Sequence, residues 1–230
     1  MGLLLAPLPT PDCRLAIWQI ALDQPLSASI ADWLSPSERT RAQAFLRPQD
    51  THRFKVGRCA LRQQLGAAGG CAPGELALSK GRHGKPEWPG SGWHFNLAHS
   101  QGLMLLALSR QGPVGIDVEQ FTVPPADLSG LAQQVMTPLE HVGWSGVAEE
   151  RRYAAFLRAW TRKEACLKAW GLGLHLEPSQ LQVGFSVDSA SQPVIVQPPG
   201  GVAGPVLLRY DLALADNADA QAAVALGLAA

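Results

Sequence analysis

Three acidic side chains and one lysine carry the strongest chemical signal in this sequence. Asp117 and Glu119 stand two apart in VGIDVE, residues 114–119, where Val114, Ile116 and Val118 alternate with Gly115 and the two carboxylates. In a strand, residues two apart point the same way, so these carboxylates stand about 7 Å apart at Cα. Aspartate suits a strand poorly, and something must compensate for it. One reading is the solvated outer face of an antiparallel sheet. The other is a hard cation, because paired carboxylates on a rigid face hold Mg²⁺ while water or phosphate fills its remaining positions. Glu164 lies four residues after Trp160 and three before Leu167, inside the apolar stripe of a helical pattern. A carboxylate there is costly unless a cation or a strong donor meets it. Lys168 is one turn further on. A solvated Glu–Lys pair at this spacing would add only a few tenths of a kcal/mol, and the aromatic neighbours argue against that reading. Asp117, Glu119 and Glu164 together make an oxygen site, with Lys168 beside it to neutralise phosphate. Histidine and cysteine are absent from the set, so magnesium is preferred to zinc.

Other residues are weaker signals. His99 lies in the turn AHSQG, where a lone histidine is usually structural. Lys85 in HGKP and Arg53 in DTHRF are ordinary surface cations taken singly. Together they form a basic, turn-rich set able to grip a polyphosphate.

The elements that must position these groups follow from the pattern. Residues 15–22 (LAIWQIAL) predict a strand. Ser35-Pro36-Ser37-Glu38 marks a helix start with Ser35 as N-cap. A second helix is expected over about 49–65 and a short strand over 75–78. Residues 81–92 (GRHGKPEWPGSG) are turn-rich. Strands are expected over 93–97, 103–109 and 114–119, and the tight connections suggest an antiparallel meander. The clearest helix runs over 148–170, with Tyr153, Phe156, Leu157, Trp160 and Leu167 on one face and Gly171 at its end. Strands over 181–187, 206–214 and 222–228 would close a second sheet. Leu61-Arg62 and Leu167-Lys168 each end a helix before a glycine-rich loop, a weak echo at a spacing of 106 (167 − 61).

Composition narrows the partners. The 230 residues, 47% hydrophobic, suffice for a substantial core. Lys plus Arg and Asp plus Glu both number 19, for a net charge of zero, so bulk attraction to nucleic acid or membrane is not expected. Cys13, Cys59, Cys71 and Cys166 show no C-x-x-C spacing and read as reduced thiols of a cytoplasmic protein. The longest apolar run is far too short to span a bilayer. The apolar start MGLLLAPLPTPD lacks a basic region and does not read as a signal peptide.

FNLAHS, VGIDVE and WTRKEACLK, in that order, resemble the signature motifs of the Sfp-type phosphopantetheinyl transferases: F-N-[LIV]-S-H-[ST], G-I-D-[IV]-E and W-x-x-K-E-[AS]-x-x-K. The resemblance covers about Leu34 to Gly173. It implies an α+β pseudo-dimer of two similar subdomains, 1–112 and 113–230. Each would be an antiparallel sheet packed on helices, with the active site in the cleft between them. It also implies a Mg²⁺-dependent transfer of 4′-phosphopantetheine from coenzyme A to a serine of an apo acyl or peptidyl carrier protein, releasing adenosine 3′,5′-bisphosphate. Asp117, Glu119 and Glu164 match the family's metal ligands. Lys168 and His99 match pyrophosphate contacts, and Lys85 and Pro86 match the turn beside the adenine. Arg41 and Arg53 fall near the expected 3′-phosphate contacts. Glu164 is the first choice of general base and Glu140 the second. Arg39, Arg41, Arg47 and the helix near Pro138 are candidate carrier contacts, and a fused pseudo-dimer makes a monomer sufficient. Three positions depart from the pattern. Ala98 replaces the motif serine, Phe54 stands where some members have threonine, and Glu38 where some have a basic residue. The rival readings are a metal-dependent phosphohydrolase acting on coenzyme A or nucleotides, and a coenzyme A or carrier-binding module without turnover.

Overall fold

The structure, a computed structural model, describes residues 2–81, 85–186, 188, 192–214 and 219–228. The first half contains β1 (Ala6–Pro7), β2 (Ala16–Ala21), α1 (Ala28–Ala31), α2 (Pro36–Gln43), α3 (Pro48–Gly69), the short pair β3 (Ser79–Lys80) and β4 (Pro86–Glu87), β5 (His94–Ser100) and β6 (Leu103–Ser109). The second contains β7 (Val114–Gln120), α4 (Leu128–Val135), α5 (Pro138–Ser145), α6 (Glu149–Trp170), β8 (Val194–Val196), β9 (Leu207–Asp211) and β10 (Ala220–Gly227).

Two four-stranded antiparallel sheets result, in the orders β1-β2-β6-β5 and β7-β10-β9-β8. They pack face to face, and each is covered outside by one long helix. The strand sequences show why. In β6, Met104, Leu106 and Leu108 pack against Val56, Cys59 and Leu61 of α3, while Leu103, Leu105 and Ala107 pack against the other sheet. A strand buried on both faces reads as a continuous apolar run, as LMLLALS does. In β7, Val114, Ile116 and Val118 enter the core between the sheets. The strand's two-residue period therefore turns Gly115, Asp117 and Glu119 toward α6.

This pairing corrects the expected meander. β7 does not continue the first sheet after β6; it pairs with β10, about a hundred residues away, with Asp117 opposite Ala223. Edge strands β5 and β7 are instead joined by side chains: Asn96 Oδ1 accepts from Ile116 N at 2.9 Å, and Ser100 Oγ accepts from Gln120 N at 3.1 Å. The strand expected over 75–78 is absent, and a 3₁₀ turn at Pro73–Glu75 precedes β3. Residues 181–186 form no strand, and a 3₁₀ turn at Pro178–Gln180 leads into them. Residues 82–84 of the HGKP turn, and Val187, lie outside the described residues.

The internal echo is real in structure but falls on other residues. Both α3 and α6 have 22 residues and end on a left-handed glycine, Gly70 (φ 70°) and Gly171 (φ 71°). Ser35 with Glu38, and Thr137 with Glu140, form the same capping box. Each of those glutamates then ion-pairs with its half's long helix: Glu38 with Arg58 and Arg62, Glu140 with Lys163. Arg62 donates to Pro73 O and Leu76 O, and Lys163 to Pro178 O and Leu181 O. An offset of 101 relates the long helices (149 − 48, 163 − 62, 171 − 70). The counterpart of Arg62 is therefore Lys163, not Lys168. At the same offset the counterpart of Glu164 is Gln63, whose amide holds the backbone of Leu3 from both sides, at 2.8 and 3.1 Å.

Candidate active site

β7 and α6 build the site. Between them Gly115 permits an approach that a side chain would block: a Cβ there would lie 2.0 Å from Ala165 O and 2.4 Å from Ala169 N. That contact brings Glu164 and Lys168 to the face of β7 that carries Asp117. The helix holds its place by Ala165, Cys166, Leu167 and Ala169 packing on Ala223 and Ala225 of β10. Glu164 and Lys168, half-buried, lie at the margin of that stripe.

Lys168 Nζ meets Asp117 Oδ1 at 2.5 Å. Asp117 is only 4% exposed, and its second oxygen, Oδ2, is buried without a hydrogen-bond partner. Burial pushes the Asp117 carboxyl up to about 7; Lys168 opposes this, and the charges of Glu119 and Glu164 reinforce it. Glu164 is raised as well, first by burial and then by Glu119, against the pull of Lys168. Two neighbouring carboxylates that burden each other need a cation. Lys168 supplies one charge, and the orphaned Oδ2 is an anionic oxygen of the kind a hard divalent ion takes. The donor set is all oxygen and fits magnesium. Among the described residues no three His, Cys, Asp or Glu side chains are drawn close enough to hold a metal as they stand.

His99 is lowered by the protein around it and by Lys168, while Glu119 pulls the other way. It lines a cavity of about 470 Å³ with Arg53, Phe45, Phe54 and Met104. Arg53 is tied there by two 2.7 Å hydrogen bonds to Asp23. Arg41 is exposed, its guanidinium 5.2 Å from the Phe45 ring centre at the cavity rim. Lys85 and Pro86 line a second cavity of about 910 Å³ between the halves, with Trp88, Trp93 and Trp170. The Lys85 ammonium is engaged by backbone: it donates to Lys168 O at 3.1 Å and Val114 O at 3.4 Å. Burial lowers it to about 8, with Lys168 adding to the effect and Glu87 opposing it.

The structure thus brings Asp117, Glu119, Glu164, Lys168 and His99 within electrostatic reach of one another. It does not bring Glu140. That carboxylate has no exposed surface. It accepts from Thr137 N and Val183 N and pairs with Lys163 at 2.6 Å. A group saturated in this way cannot reach a substrate hydroxyl, so the reading of Glu140 as a base is corrected: it is the structural twin of Glu38. The sequence held the clue, since T-x-x-E at residues 137–140 is a capping-box signature. Gly115, Asn96 and Ser100 were not singled out from sequence. A glycine inside a strand pattern is the signal that would have found the first.

The fold and site define a fused pair of α+β halves with a carboxylate–lysine cluster on the strand and helix facing each other in the second half. Residues 113–208 match the family model of the 4′-phosphopantetheinyl transferase superfamily. The 4′-phosphopantetheinyl transferase HetI of Nostoc sp. is 39% identical over 164 residues, 69% of each chain. A 4′-phosphopantetheinyl transferase of Bacillus subtilis is 26% identical over 200 residues, 85% of this chain and 86% of its own. AcpT of Salmonella typhi is 41% identical over 92 residues, 40% of this chain and 47% of its own. This chain belongs to the 4′-phosphopantetheinyl transferase superfamily. No helix among the described residues is long and apolar enough to cross a membrane.

Proposed function

We propose that this protein transfers 4′-phosphopantetheine from coenzyme A to a serine hydroxyl of an apo acyl or peptidyl carrier protein, releasing adenosine 3′,5′-bisphosphate. The observation that carries the reading is the buried, unpartnered Asp117 Oδ2 beside Glu119, Glu164 and Lys168. The relatives named above are all transferases, so the phosphohydrolase alternative finds no support among them.

Asp117, Glu119 and Glu164 would hold Mg²⁺, which when bound supplies Lewis-acid polarisation of a phosphate oxygen. Lys168 and His99 would neutralise charge on the pyrophosphate. Glu164 takes the proton of the serine hydroxyl as its oxygen attacks the β-phosphorus and the bond to the leaving bisphosphate breaks. Arg53 and Arg41, at the Phe45–Phe54 cavity, take the 3′-phosphate, and Pro86 packs beside the adenine. Lys85, beside Pro86, is tied to the second half by its contacts with Val114 O and Lys168 O. The remaining barrier falls through in-line positioning. We further infer a cytoplasmic monomer with reduced thiols, divided near residue 112 into two subdomains. The carrier would meet Arg39, Arg41, Arg47 and the exposed Leu139 and Val142 of α5.

The test is direct. Incubation with coenzyme A, Mg²⁺ and an apo carrier should add the mass of one phosphopantetheine. Asp117→Ala and Glu164→Ala should abolish that gain while melting cooperatively. Retained transfer in both variants sinks the assignment.

A further inference from the structure

We propose that Ser100 is a positioning residue that aims Glu119 at the cation site; this rests on the metal reading above. Ser100 ends β5, on the strand face that looks across to β7. Its hydroxyl makes two contacts of opposite sense. Oγ accepts from Gln120 N at 3.1 Å, and it stands 3.1 Å from Glu119 Oε2. A carboxylate only accepts, so the single hydroxyl proton goes to Glu119, and the Gln120 N–H takes a lone pair. The rotor is therefore fixed from both ends, and with it one oxygen of Glu119.

Glu119 needs such a restraint. It lies at the open end of β7 and is half-buried, unlike Asp117, which the sheet and α6 enclose. A long side chain there has several rotamers available, and only some face Asp117 and Glu164. Tying Oε2 leaves Oε1 as the oxygen free for a cation. The contact also crosses between the halves, from the edge of one sheet to the edge of the other. Asn96, four residues earlier on β5, makes the companion link to Ile116 N but, among the described residues, hydrogen-bonds no carboxylate. The pair separates two roles: both side chains clasp the strands, and Ser100 alone reaches a candidate ligand.

Partners that orient a ligand typically change metal affinity or activity by about 10- to 100-fold when removed. The experiment measures Mn²⁺ binding to the full chain without coenzyme A, by electron paramagnetic resonance, alongside thermal melting. Ser100→Ala should weaken Mn²⁺ binding by about 10- to 100-fold, and Ser100→Thr, which keeps the hydroxyl, should restore it. Asn96→Ala should lower the melting temperature with a much smaller change in Mn²⁺ affinity. Parental Mn²⁺ affinity in Ser100→Ala overturns the proposal. So does a loss that Asn96→Ala shares in full, because Ser100 would then be a strand clasp and nothing more. If the parent protein itself binds no Mn²⁺, the metal reading has failed before Ser100 is in question.

Discussion

Replacing Gly115 with alanine tests how closely the site depends on one backbone contact. Gly115 has no positive φ, so alanine meets no conformational penalty of its own there. The obstacle is space. The added carbon would lie 2.0 Å from Ala165 O, 2.4 Å from Ala169 N and 3.0 Å from Lys168 C, all main-chain atoms of α6 that cannot rotate away. Ordinary contact requires β7 and α6 to part by roughly 1.5 Å. Overpacking of this kind costs about 1–3 kcal/mol, which for a chain this long lowers Tm by roughly 2–4 °C per kcal/mol. The catalytic effect should be larger, because a 1 Å misplacement of reacting groups costs about 100-fold. The retreating helix carries Glu164 and Lys168 away from Asp117. The assay is carrier modification followed by intact mass, with Tm read on the same samples. Gly200→Ala, which has no atom within 4 Å, serves as control. A folded Gly115→Ala protein that transfers at the parental rate refutes the reasoning.

Glu140→Ala should destabilise by about 3–5 kcal/mol, since it strands the buried Lys163 ammonium, yet the folded fraction should keep its kcat; Glu164→Gln should show the reverse pattern in urea melts and single-turnover rates. Arg53→Ala should raise KM for coenzyme A by about tenfold, the loss of a charged hydrogen bond, with kcat little changed. Lys85 titrates near 8 in the folded chain against an ordinary 10.5. Between those values the unfolded chain keeps a proton that the folded chain has released, so this residue's contribution to stability rises with pH. The gain is at most about 1.4 kcal/mol per pH unit. Neutral Lys85 keeps two N–H groups for its two carbonyls. Urea melts at pH 8 and 10 should show the parent gaining on Lys85→Met; equal pH slopes would contradict this.

The candidate carboxylate–lysine cluster was more legible than the scaffold that holds it. Asp117 and Glu119 announced themselves because carboxylates interrupt a β-branched alternation. Glu164 did so because it breaks an apolar helical stripe. Helix ends were legible from Ser35, Pro36 and Gly171, whose roles are local. The partner of β7 was not legible, because β10 is about a hundred residues distant and AQAAVALG carries no pairing code. The tight turn after β6 resembled a hairpin, and the clasps from Asn96 and Ser100 that join the sheets have no sequence period. Glu140 was read as a second-choice base through the resemblance alone; its capping box with Thr137 and its pair with the buried Lys163 tie it into the scaffold instead.

The amide of Gln63 bears on stoichiometry. Two copies of one architectural plan might be thought to offer two reaction centres. Where the second copy sets an acidic side chain toward its cleft, the first sets a neutral one that grips the chain's own opening residues. The duplicated unit has thereby become a buttress, and each molecule should consume one coenzyme A at a time.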